Sequence, residues 1–165
     1  MNVCQIRMMS ILPNYAEEIM AYAVRHDYPD IMYAAAPLLL EKPLENVLAE
    51  FPPAIAIAWT RYHATWSTCA RSAMLILPKF IKPYSQPKQT QNWDQYDGCN
   101  CGQPIDSTVN KIIMVLAEGI APLKDLSWTE KPDLVCCAQM KPAIVNWRAS
   151  VDRSIKNIPD LSTFV

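Results

Sequence analysis

The sequence predicts an all-α protein. Prolines number 14 and glycines 3, a balance that suits helices opened by proline and disfavours a sheet closed by tight glycine turns. Apolar residues recur at steps of three and four in several segments, the helical period. No segment alternates apolar and polar residues for long enough to predict a strand. The expected architecture is an irregular bundle of about six or seven helices, a single domain over residues 1–165 with a long loop through its middle.

Residues 1–13 show no clear period. Asn14 and Glu17 stand in capping-box spacing, which predicts a helix opening at Asn14 with Ile19, Met20, Ala23 and Val24 on one face. Pro29 is placed to stop that helix and to start the next, Asp30 to Ala36, which Pro37 is expected to terminate. Pro43 opens a short segment ending at Phe51, with Leu44, Val47, Leu48 and Phe51 at helical spacing.

Pro52-Pro53 begins the clearest helix. Ile55, Ala58, Trp59, Tyr62, Trp66, Cys69, Ala73, Ile76 and Leu77 form one broad stripe, with Arg61, Thr65, Thr68 and Arg71 largely off it. Residues 78–105 change character: Pro78, Pro83, Pro87 and Pro104 stand among Gln, Asn, Ser, Lys and Asp, which predicts an irregular loop. Asp106 or Ser107 caps the next helix, whose apolar face is Val109, Ile112, Ile113, Leu116 and Ile120. A short helix or turn is expected over Pro122 to Trp128. Another helix starts at Pro132 and kinks at Pro142. It carries Ile144, Trp147, Val151, Ile155 and Ile158 to a stop at Pro159, before an extended tail DLSTFV.

Apolar residues make up 51% and charged residues 19%, with a formal net charge of −1. That balance lacks the basic excess nucleic-acid binders set against phosphate, so no nucleic-acid partner is expected. No window holds the ~18 uninterrupted apolar residues of a membrane span, and the start lacks a signal-peptide pattern. The expected location is intracellular, cytoplasm or nucleus, with six reduced cysteines.

Cysteines are the first candidates for chemistry. Cys99 and Cys101 sit in the loop, and Cys136 and Cys137 are adjacent further on. Four thiolates can hold zinc tetrahedrally, giving a small zinc-stabilised helical domain as the alternative reading. C-x-C and C-C are tighter than the usual ligand spacings, so structural thiols are the larger share and no cofactor or metal is assigned. A cysteine nucleophile needs a nearby histidine. His63 and Cys69 lie six residues apart on one predicted helix and do not face each other, and His26 falls at a helix end. Paired acids such as Glu17/Glu18 and Glu41/Glu45 read as solvated faces, and no glycine-rich phosphate loop is present. No catalytic constellation emerges, and the chain is expected not to be an enzyme. Trp59, Tyr62, Trp66 and Trp147 lie on core stripes. Trp93 and Tyr96 stand in the polar loop instead, which makes them candidate partner-binding residues.

Three blocks carry a family resemblance: AYAVRHDYPDIMYAAAPLLLEKPLENVL (21–48), FPPAIAIAWTRYHATW (51–66) and CCAQMKPAIVNWRASVDRSIKNIPDLSTFV (136–165). Together the chain resembles the helical region after the BTB/POZ fold in fungal, basidiomycete-type BTB/POZ proteins. The resemblance implies post-BTB-like helices over 14–77 and C-terminal helices over 106–165, with the BTB/POZ α/β core largely absent. It also implies a non-enzymatic, adaptor-like module for protein–protein interaction. In that family dimerisation is frequent, and some members recruit substrates to cullin-type ubiquitin ligases. A protein partner and self-association are the corresponding expectations, and the family offers no catalytic residue to carry over.

Overall fold

In a computed structural model the chain is described over residues 3–42, 48–49, 51–85, 105–131 and 140–165, with side chains described outside 82–85 and 105–106. Among the described residues the fold is all-α, with no strand. It divides into two compact units, residues 1–66 with 158–165, and residues 67–157.

The first unit opens with α1 (Val3–Ile11), in the stretch where the sequence showed no period. The chain then turns, with the Asn14 amide donating to the Ile11 carbonyl at 3.0 Å. The expected Asn14–Glu17 capping box does not form. α2 (Ala16–Arg25) has Tyr15 at its N-cap, one residue beyond the expected cap and without a side-chain cap bond, and the acids Glu17 and Glu18 favour its positive end instead. Ile19, Met20 and Ala23 bury the predicted face. α3 (Pro29–Leu39) uses Pro29 in its first turn as expected.

Pro37 does not terminate α3; it lies inside it. A proline removes one i→i−4 bond and crowds one turn. Here the turn that follows buries Leu39 and Leu40, which rewards continuing the helix. α2 packs along α3, burying Met20, Ile31, Ala35, Ala36 and Leu39. The tail is not extended: η2 (Leu161–Thr163) is a 3₁₀ turn touching α3, with Leu161 buried.

α4 (Pro53–Ser85) starts at the expected proline but runs 33 residues. Pro78 and Pro83 are helical, so 78–85 of the predicted loop belongs to α4. Residues 53–66 fall in the first unit and 67–85 in the second. The predicted stripe is the buried face: Ala58, Trp59, Tyr62, Trp66, Cys69, Ala73 and Leu77 are buried, and Arg61, Thr68 and Arg71 exposed.

The second unit continues with α5 (Ile105–Ala117), which buries Thr108, Ile112 and Leu116. The expected short helix or turn is α6 (Ala121–Lys124), followed by the 3₁₀ helix η1 (Leu126–Glu130). α7 (Lys141–Lys156) has Pro142 in its first turn, so that proline opens a helix and does not kink one. α7 ends at Lys156, with Asn157 as its C-cap two residues before the expected stop at Pro159. Ala143, Ile144, Trp147 and Val151 bury the predicted face.

Candidate functional site

Trp93, Tyr96, Cys99, Cys101, Cys136 and Cys137 lie outside the described residues. Cys4, exposed, and Cys69, buried, are free thiols. Burial pushes the Cys69 thiol up, which keeps it protonated and inert. Among the described residues no three His, Cys, Asp or Glu side chains are grouped to hold a metal. His63 shares α4 with Cys69, and burial pushes its pKa down. His26 caps the end of α2, its ring centroid 4.1 Å from that of Tyr22.

The first unit is organised around aromatic rings on α4. Trp59 meets Tyr62 at 5.6 Å between centroids and Phe51 edge-on at 6.4 Å. Tyr62 meets Trp66 at 6.4 Å and Phe164 at 6.3 Å, both edge-to-face. These are packing geometries, so the aromatic stripe is core, as its helical spacing predicted. Burial raises the Tyr62 hydroxyl; the Trp66 indole lies close enough to oppose that rise, and Asp160 adds to it. Neither the Trp59 nor the Trp66 indole nitrogen has an acceptor at hydrogen-bonding geometry among the described residues.

A recess in the second unit is the candidate site. It is an open groove of about 310 Å³ lined by Thr129 and Glu130 of η1 and by Lys141, Ile144, Val145 and Arg148 of α7. The four α7 residues fall at i, i+3, i+4 and i+7, one face of a helix. Ile144 is buried, while Val145 is 58% exposed. Arg148 forms an ion pair with Glu130 across the groove. Lys141 is exposed and makes no ion pair among the described residues.

η1 is held in place locally. The Ser127 amide and hydroxyl both donate to the Asp125 carboxylate at 2.8 Å. Those bonds hold the Asp125 carboxyl below its ordinary range, and Arg148 adds to the effect. The Thr129 hydroxyl donates to the Leu126 carbonyl at 2.7 Å, and the Trp128 indole to the Pro122 carbonyl at 2.8 Å. The sequence marked Ile144 only as core and did not single out Lys141, Val145 or Arg148. Their shared face was readable from spacing; that η1 would stand opposite was not.

Among the described residues the groove offers an aliphatic floor, one fixed ion pair and the exposed Lys141 ammonium, which can bind an amphipathic group, and no paired nucleophile and base. The fold and groove therefore define an all-helical protein with a shallow amphipathic recess. No family model, curated protein or solved structure matches the chain. No helix among the described residues is long and apolar enough to cross a membrane.

Proposed function

We propose that this chain is a non-enzymatic protein–protein interaction module, adaptor-like and similar to the post-BTB helical region of fungal BTB/POZ proteins. One observation supports the interaction reading above the others. α1, VCQIRMMSI, buries none of its residues, and Val3, Ile6, Met9 and Ile11 are exposed. Apolar side chains massed on one short helix are the kind of surface a protein partner covers, a second copy of the chain included. The free thiols Cys4 and Cys69 suit a reducing compartment such as the cytoplasm or nucleus.

Light scattering over a concentration series tests the surface. The wild-type chain is expected to gain mass with concentration, and Ile6→Glu to stay at the 18.7 kDa of one chain. A wild-type chain that stays at that mass throughout, with partner capture from source cells unaltered by Ile6→Glu, overturns the role of α1. Replacing Trp93 and Tyr96 by alanine together tests the loop in the same capture assay, where weakened capture is expected. Peptide mapping of the native product addresses the family. Peptides upstream of Met1 from a BTB/POZ core support it, and a native product of 18.7 kDa removes the adaptor reading.

A further inference from the structure

We infer that the segment Ile158–Val165 is exchangeable between copies of this chain: the seat that holds Leu161 and Phe164 in one copy takes the same two side chains from a second copy. This rests on the interaction-module reading and names a self-recognition site on the first unit apart from α1. The seat is defined by what fills it. Leu161 is fully buried, and η2 touches α3. Phe164 meets the buried Tyr62 ring of α4 edge-to-face at 6.3 Å.

The segment has the form of a ligand. Pro159 fixes one backbone angle on the way in. The Thr163 amide donates to the Asp160 carbonyl at 3.0 Å, and the Phe164 amide to the Leu161 carbonyl at 2.9 Å. Those bonds close a 3₁₀ turn, in which side chains three apart eclipse, so Leu161 and Phe164 leave on one side. Among the described residues the hydrogen bonds of the segment are internal to it. The turn therefore makes its own shape, and apolar side chains hold it in the seat.

The hold is small. Pro159, Asp160, Ser162, Thr163 and Val165 are exposed, which leaves Leu161 as the one buried anchor. A segment anchored by one side chain opens more readily than the unit around it unfolds. A second copy is the occupant these contacts select. It carries the same anchors at the same spacing, and the contacts it makes in the seat are the ones the first copy gives up. Exchange opens only residues 157–160, between α7 and η2. It is reciprocal, each copy filling the other's seat, and it closes as a two-fold dimer. The segment of the same chain competes at an effective concentration in the millimolar range, so removing its anchor favours exchange.

The test carries Ile6→Glu in every chain, so that association through α1 adds nothing. Leu161→Ala, labelled with ¹⁵N, keeps the seat and loses its own anchor. Circular dichroism checks that it folds, and Phe164→Ala is the milder second variant. A capped peptide of the chain's own sequence, NIPDLSTFV, is expected to shift the amides of 30–39 and 59–66 saturably. The same peptide with both anchors replaced by alanine is expected to leave them unmoved. The peptide is expected to bind at least about tenfold more weakly to the chain with its segment intact, where that segment competes. Unlabelled chain with an intact segment, added to the labelled variant, is expected to shift the same amides and to bring the mass to two chains. No peptide shift, equal response to the two peptides, or equal affinity for variant and intact chain overturns the inference. Peptide shifts without shifts from the intact chain overturn the second copy as the source. Loss of helicity in both variants also overturns it, since the segment is then core and not a ligand. A failed exchange leaves the α1 reading standing, and exchange in the Ile6→Glu background stands without α1.

Discussion

The indole nitrogen of Trp147 donates a 2.9 Å hydrogen bond to the carbonyl oxygen of Ala73, joining α7 to α4 across 74 positions of sequence. Both residues are buried, Trp147 completely. The bond uses the second lone pair of a carbonyl inside a helix, so a large indole reaches the core with its one polar atom satisfied. Trp147→Phe keeps an aromatic ring but removes the donor and some volume. It is expected to lower stability by about 1–3 kcal/mol, and Trp147→Ala by about 3–5 kcal/mol. Urea unfolding checks both: the midpoint falls while the slope stays constant.

Asp27 has φ of 57°, the left-handed region that glycine prefers. It follows the last turn of α2, where the Tyr28 amide reaches back to the Ala23 carbonyl at 2.9 Å. That 6→1 bond marks a Schellman-type ending, and an aspartate tolerates its αL position better than most residues. Asp27→Gly is expected to raise stability by about 1 kcal/mol, and Asp27→Val to lower it by more. Thermal melts of the two variants move in opposite directions if the backbone controls this position.

What was legible in the sequence was the periodic part. Trp59, Tyr62, Trp66, Ala73 and Leu77 step by threes and fours, and all are buried. Pro29 and Pro53 mark helix starts because a proline at the first turn loses no helical bond. Pro37, Pro78 and Pro83 look the same in sequence but lie inside helices. Burial of Leu39 after Pro37 and of Ile81 after Pro78 favours continuing those helices, and that burial comes from tertiary packing that no local pattern displays. α1 was missed because its apolar residues follow no single stripe and none is buried. The groove needed η1 opposite α7, a pairing of segments that spacing along one helix does not encode.

The buried titratable groups place limits on pH at both ends. Burial holds His63 neutral, so the unfolded chain takes up a proton at an ordinary histidine pKa of about 6.5 before the folded chain does. Stability is then full above that range and falls as pH drops through it. Tyr62 and Cys69 act in the opposite direction. Burial raises both, so the folded chain keeps protons that the unfolded chain releases, and stability falls as pH rises past the ordinary thiol and phenol ranges. The melting temperature is expected to peak between the two limbs. His63→Gln flattens the upper acid limb and Tyr62→Phe the alkaline one. Asp125→Asn removes a lower acid step, since its depressed carboxyl contributes stability that is lost only as pH falls through the folded value. Melts of each variant across pH separate the three. An acid limb unchanged in His63→Gln removes His63 as its source.

Cys99, Cys101, Cys136 and Cys137 give the zinc reading its own decisive measurement. A structural zinc site contributes on the order of 10–16 kcal/mol to folding, more than a typical domain's whole stability, so its removal unfolds the chain. The sequence argues against such a site, because C-x-C and C-C spacings place neighbouring sulfurs poorly for one tetrahedron. Protein purified without chelator is therefore expected to carry zinc well below one per chain. Adding a strong chelator is expected to leave its melting temperature and helicity where they were. One zinc per chain with unfolding on chelation reverses the conclusion. It would show that the pairs 99/101 and 136/137 meet in space, and that the second unit is held together by metal as well as by the Trp147 core.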